Sequence, residues 1–147
     1  MRVYLDACCL SRLTDYKSSV RICEEAEAVE LVFDLFRVGI VKLISSEALL
    51  DEVRRNPFDD RRIEAEELLS LVDETVAFSP QLLRRAKELS ALGYGEYDAY
   101  HLASAEIGGA DVLLSTDDKF IKLASKRIGC PLVSVLNPVY WRKEHGS

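Results

Sequence analysis

Histidine is nearly missing from this sequence: 147 residues contain two, His101 and His145. Cysteine is scarce as well. The four thiols, Cys8, Cys9, Cys23 and Cys130, match no zinc-ligand spacing. A zinc centre is thereby set aside, and the thiols are expected to be reduced and buried. No apolar run approaches the ~18 residues of a membrane span, so no membrane partner is expected. Asp6 interrupts the apolar start of the chain, so export is not expected and a cytoplasmic setting is. Positive charge is not in excess either. Lys and Arg number 19 against 25 Asp and Glu, a net charge of −6. That argues against a protein held on nucleic acid by a general basic field, while leaving room for a local basic rim. There is no repeat, no low-complexity tract and no Gly-, Pro- or Ser-rich linker. One continuous domain over residues 1–147 is expected, with 137–147 as a short C-terminal tail.

What is present is an alternation of element types. Residues 2–5 form a short β-type run ending at Asp6. Residues 21–38 read as a helix, with Cys23, Ala26, Val29, Val32, Phe33 and Phe36 near helical spacing and Gly39 as its stop. A second strand is expected over 40–44, followed by a helix capped by Ser45 or Ser46 and running to about Arg55. A helix from Asp59 or Asp60 to 71 and a strand over 75–78 come next. Ser79-Pro80 is a helix start with Pro at the first helical position. That helix runs to 92, and another spans 96–107. A fourth strand is expected over 111–115, a helix from Asp117 or Asp118 to 127, and a fifth strand over 132–136. Strands alternating with helices predict a three-layer α/β/α sandwich around a parallel five-stranded sheet. Ligands in such sheets bind beyond the carboxyl ends of the strands.

That rule directs attention to acids placed after strands. Asp6 directly follows Val3-Tyr4-Leu5. Asp117 follows Val112-Leu113-Leu114, with Ser115 and Thr116 between. Glu52 on the helix after strand two and Asp98 in the first turn of the 96–107 helix can join them. Four converging carboxylates repel one another and have raised pKa values unless a cation neutralises them. An all-oxygen set with room for water suits Mg²⁺ or Mn²⁺. Each acid also has a plainer use. Asp98 can serve the helix dipole, Asp117 or Asp118 can be an N-cap, and Glu52 can belong to a solvated face beside Asp51.

Four segments, in order, resemble the PIN domain, the metal-dependent nuclease fold that includes VapC-like toxins. The first is Val3-Tyr4-Leu5-Asp6-Ala7-Cys8-Cys9-Leu10. The second runs from Ser45-Ser46-Glu47 to Asp51-Glu52-Val53. The third is Asp98-Ala99-Tyr100-His101-Leu102-Ala103-Ser104-Ala105, and the fourth Leu113-Leu114-Ser115-Thr116-Asp117-Asp118-Lys119-Phe120. The resemblance covers nearly the whole chain. It implies an endoribonuclease in which Asp6, Glu52, Asp98 and Asp117 hold Mg²⁺ or Mn²⁺, an RNA substrate, a homodimer and, in the toxin case, an antitoxin protein. Arg12, Ser115 and Lys119 are the expected substrate-binding residues. Arg54, Arg55, Arg61, Arg62, Arg84, Arg85, Lys87 and Lys122 are further cations. Tyr94, Tyr97 and Tyr100 are candidates for base stacking. His101 is expected to be packed or hydrogen-bonded rather than a ligand. The sequence departs from the family pattern at Ala7, where many members carry Thr or Ser; Ser11 or Ser115 are the available substitutes. Asp118 rivals Asp117, and Asp51 rivals Glu52.

Other readings fit less well. A haloacid-dehalogenase-type phosphatase wants a second Asp two residues after Asp6, and position 8 is Cys. A receiver domain wants an acidic pair before the phosphorylated Asp and a late Lys after a strand. A cysteine phosphatase wants a glycine-containing phosphate loop ending in Arg, and Cys9-Leu10-Ser11-Arg12 is too short. A catalytically degenerate PIN domain acting as a binding or assembly module, and an RNA-processing nuclease outside toxin–antitoxin systems, are the alternatives within the family.

Overall fold

A computed structural model describes residues 1–145. Its elements run β1 (Arg2–Leu5), α1 (Ala7–Arg12), α2 (Val20–Arg37), β2 (Lys42–Ser46), α3 (Glu47–Arg54), α4 (Asp59–Leu69), β3 (Glu74–Val76), α5 (Pro80–Ala91), α6 (Glu96–Ile107), β4 (Val112–Leu114), α7 (Asp118–Ser125), β5 (Ser134–Leu136) and α8 (Pro138–His145). The five strands form one sheet in the order β3-β2-β1-β4-β5, and every pairing is parallel. The three-layer α/β/α expectation therefore holds.

The central strands β1 and β4 and most of β2 are short and buried because both faces of the sheet are covered there, whereas the edge strand β3, Glu74–Val76, is mostly exposed. Val3, Tyr4, Leu5, Leu43, Ile44, Val112, Leu113 and Leu114 are all buried. From β1 the chain moves outward through β2 to β3, then crosses back to β4 and β5. Right-handed crossovers therefore set α2 on one face and α5 and α6 on the other. Strand order reverses between β1 and β4, which makes the gap beyond their carboxyl ends the expected ligand crevice. Register there is fixed by Leu5 opposite Leu114 and by the Asp6 amide donating to the Leu114 carbonyl at 3.2 Å.

Local capping follows the chemistry. Ser46 accepts from the Leu49 amide and Ser79 from the Leu82 amide, each starting a helix. Asp117, not Asp118, caps α7. The strands expected over 40–44 and 132–136 begin two residues later than that, at Lys42 and Ser134. Residues 138–145, expected as tail, form α8; its Trp141 is 1% exposed, and Asn137 Oδ1 accepts from the Val139 amide at 2.8 Å at its start. Residues 146 and 147, also assigned to the tail, lie outside the described residues. At the far end of α6, Gly108 has no space for a side chain. A Cβ there would lie 2.9 Å from Val76 Cγ2 and 3.1 Å from Ile44 Cγ2.

Candidate active site

Four elements deliver one acid each to the crevice between β1 and β4. Asp6 ends β1 and caps α1; its Oδ1 accepts from the Cys9 amide at 3.0 Å. Its Oδ2 is buried and has no hydrogen-bond partner. An orphaned carboxylate oxygen is costly. Burial pushes the Asp6 carboxyl up, with His101, Ser115 and the Cys9 amide easing the charge. Asp98 stands in the first turn of α6. Burial, then Asp117 and Asp6, push its carboxyl up to about 6. Asp117 spends Oδ1 on the Lys119 and Phe120 amides. Glu52 Oε1 lies 2.7 Å from His101 Nε2.

The half-buried Cys8 thiol reports the field of the set. It is pushed up by burial and then by Asp6, Glu52, Asp98 and Asp117 in turn. All four acids thus act on one point. They do not yet form a closed cage, since among the described residues no three His, Cys, Asp or Glu side chains stand close enough together to hold an ion. The donor chemistry nevertheless fits a hard divalent cation: all oxygen, acidic, with one buried oxygen lacking any partner.

The rival acids have other partners. Asp118 binds the Arg21 guanidinium through both oxygens, at 2.8 and 2.9 Å. Asp51 accepts from the Tyr97 hydroxyl at 2.7 Å and pairs with Arg55. Helical spacing separates Asp51 from Glu52 as expected.

The expected substrate-binding residues are placed differently from one another. Arg12 is not free. Its Nε donates to Glu25 at 2.8 Å and its NH1 to Asp15 at 2.6 Å. Ser115 is fully buried, and its Oγ accepts from the Asp117 amide at 3.1 Å; it shapes the acid loop. Lys119 is exposed beside Asp117 and commits only its backbone N–H there. Arg61 pairs with Asp15 and lies over the exposed Phe58 ring. With Cys8 and Glu52, this pair lines a cleft of about 370 Å³ that opens beside the acids. Tyr94 is buried and donates to the Ile128 carbonyl, so it packs. Tyr100 meets Phe78 edge-on.

Sequence reasoning missed a buried network behind the site. Glu25 on α2 is 0% exposed. It accepts from Arg12, from Arg21 and from Asn137 Nδ2, the last at 2.6 Å. Arg21 also donates to the Thr116 carbonyl at 3.1 Å, which ties the network to the loop carrying Asp117. The available signal was an acid four residues before Val29, on the apolar stripe of α2.

A family model described as PIN domain matches residues 3–126. A search of the curated proteins finds no match. Among solved structures, VapC20 of Mycobacterium tuberculosis, described as a sarcin-ricin loop cleaving toxin, is similar at a TM-score of 0.59 and 16% identity, over 80% of this chain and 92% of that one. VapBC-1 of nontypeable Haemophilus influenzae is similar at 0.60 and 13% identity, over 94% and 98%. VapBC2 of Rickettsia felis, bound to a DNA fragment from its promoter, is similar at 0.59 and 18% identity, over 93% and 98%.

Proposed function

Because the chain belongs to the PIN domain family, we propose that it is a divalent-metal-dependent endoribonuclease, the toxin of a toxin–antitoxin pair. The observation that carries this reading is the buried, partnerless Asp6 Oδ2 among acids whose charges push up the Asp98 carboxyl and the Cys8 thiol. A charge arrangement that costs stability without an internal partner is what a cation-binding site looks like before it is filled. Asp6, Glu52, Asp98 and Asp117 would hold Mg²⁺ or Mn²⁺, and the ion when bound would activate water and stabilise the leaving oxygen.

The remaining work falls to side chains of this chain. Asp6 and Asp117 are fixed by backbone amides of the helices they cap, so their positions are set before anything binds. Glu52, held through one oxygen, is placed to orient or accept a proton from water. Lys119 offers an exposed cation next to Asp117 for the substrate backbone. Phe58 with Arg61 offers an aromatic and a cationic surface in the adjoining cleft. Ala7 brings no hydroxyl to the site, and buried Ser115 stands near Asp6 instead.

The toxin reading is supported by fold neighbours that are VapC and VapBC proteins. It implies an antitoxin partner, a homodimer and a cytoplasmic setting. No helix among the described residues is long and apolar enough to cross a membrane. The test is cleavage of structured and single-stranded RNA with Mn²⁺ or Mg²⁺ by wild type and Asp98→Asn. Metal-dependent cleavage by wild type, reduced about a thousandfold or more in the variant, is expected. Equal cleavage by both, or cleavage surviving a chelator, would overturn the reading. Absence of cleavage with retained antitoxin binding would favour the binding-module alternative.

A further inference from the structure

Under the acid cluster three buried side chains lead to the half-buried Glu52. Ser46 Oγ lies 2.6 Å from the Tyr4 hydroxyl, which lies 2.7 Å from His101 Nδ1. His101 Nε2 lies 2.7 Å from Glu52 Oε1. Ser46 and Tyr4 are 0% exposed and His101 1%. Each of Ser46, Tyr4 and His101 lies on or directly before an element leading to one of the acids. Tyr4 lies on β1, two residues before Asp6. His101 follows Asp98 by three, about one turn of α6. Ser46 caps α3, the helix that carries Glu52.

We propose that Ser46, Tyr4 and His101 form a clasp that sets the mutual spacing of Asp6, Asp98 and Glu52, with His101 as the positioning residue for Glu52. The clasp has one direction. Ser46 Oγ already accepts from the Leu49 amide at 2.9 Å, and a carboxylate such as Glu52 can only accept. His101 therefore donates from Nε2 to Glu52, and its Nδ1 accepts from the Tyr4 hydroxyl. Tyr4 in turn accepts the Ser46 proton. Every proton then has an acceptor. If His101 carried its proton on Nδ1 alone, a bare Nε2 would face a carboxylate. The acceptor-only carboxylate of Glu52 thus sets the imidazole tautomer, and the Tyr4 and Ser46 hydroxyls satisfy the bare Nδ1 behind it, so that every member of the chain is paired.

This pattern resembles the outer-shell hydrogen bonds that orient ligands around metals and whose loss typically costs ten- to a hundredfold in metal affinity. Here the outer shell also links three separate elements, so it acts on distances between acids as well as on one carboxylate. The inference rests on the metal-nuclease reading for its purpose, but not for its structure.

The experiment is the nitrogen spectrum of the His101 ring in metal-free protein, followed by Mn²⁺ titration of wild type, Tyr4→Phe and His101→Gln. The expected spectrum shows the proton on Nε2 in wild type and, in Tyr4→Phe, the same tautomer with the Nδ1 resonance shifted by loss of its hydrogen bond. The proton on Nδ1 in wild type, or an Nδ1 resonance unchanged in Tyr4→Phe, would overturn the clasp. Tyr4→Phe keeps the ring and its packing, and its metal-free melting temperature serves as the folding control. Its Mn²⁺ affinity is expected to fall about tenfold, and His101→Gln, whose amide can still donate to Glu52, is expected to bind Mn²⁺ more tightly than a His101→Ala variant titrated beside it. Wild-type affinity in Tyr4→Phe would overturn the positioning role. If wild type binds no Mn²⁺, the nuclease reading fails and the positioning role falls with it, while the clasp itself is judged by the ring spectrum.

Discussion

Glu25 and Asp6 are both buried carboxylates, one on α2 and one at the end of β1. Glu25 is 0% exposed and Asp6 1%. Glu25 is met by two guanidiniums and an amide, from Arg12, Arg21 and Asn137. Asp6 is met by one backbone amide, and its second oxygen has nothing. The same chemical group is thus compensated in one place and left expensive in the other. Nothing in the fold forbids compensation at Asp6, since Arg12 lies six residues along the chain and turns to Glu25. Arg12 and Arg21 are drawn to Glu25, leaving the candidate acid site without a guanidinium on Asp6. Net charge could not reveal this; the pairing does.

The contrast breaks most visibly in stability. Glu25→Ala leaves Arg12 and Arg21 without their shared buried partner and is expected to cost about 3–5 kcal/mol in urea unfolding. Asp6→Asn, which removes an uncompensated charge, is expected to leave stability equal or higher. A loss of similar size in both would erase the distinction. Next in size is the response to metal. Mn²⁺ at a hundred times its dissociation constant is expected to stabilise wild type by about 2.7 kcal/mol, read as a rise in melting temperature that Asp98→Asn abolishes.

A smaller effect is the pH dependence of metal-free stability. The Asp98 carboxyl is raised from 3.8 to about 6, so between those values the folded chain binds more protons than the unfolded one. Its contribution therefore falls as pH rises from about 4 through 6 and is flat above that. Asp98→Asn is expected to match wild type near pH 4 and to exceed it above pH 6. The gain is about 1 kcal/mol once solvent screening at a partly open site is allowed for. A variant advantage that is constant from pH 4 to pH 8 would contradict the shift. The smallest effect is expected at Asp118, whose carboxylate belongs to Arg21 on the compensated side. Asp118→Asn is expected to leave both RNA cleavage and the Mn²⁺ response unchanged. A loss of either would move the acid boundary by one residue.

Much of this was legible from the residues, for identifiable reasons. Helix α6 spans Glu96–Ile107, as its Gly95 and Gly108 boundaries predict, and Ser46 and Ser79 cap as their side chains allow. Strand β2 was harder, because a strand covered on both faces has no alternation to mark its ends, and in the edge strand β5 the alternation of buried and exposed residues runs back to Pro131, ahead of the pairing that starts at Ser134. Pairing with neighbours decides the bounds. Helix α1, six residues long, is too short for periodicity to show. Helix α8 carries the same kind of start as α5: Asn137-Pro138 corresponds to Ser79-Pro80, and the signal at 137 went unused. The acids were legible because they follow strands. The fate of the cations was not, because Arg12 is settled by Glu25 on another helix, a contact no local pattern contains. His101 was expected to be hydrogen-bonded, and it is; its partners Tyr4 and Glu52 lie 97 and 49 residues away in sequence.

Gly108 sets how closely the far end of α6 approaches the sheet. Helix α6, 12 residues long and so about 18 Å from end to end, carries Asp98 near its front and abuts Ile44 and Val76 at its back. The missing side chain lets this end of the helix lie close on β2 and β3, and a single methyl group added at residue 108 would have to lift it from them, a displacement that the helix would carry to Asp98 without any change near the acid.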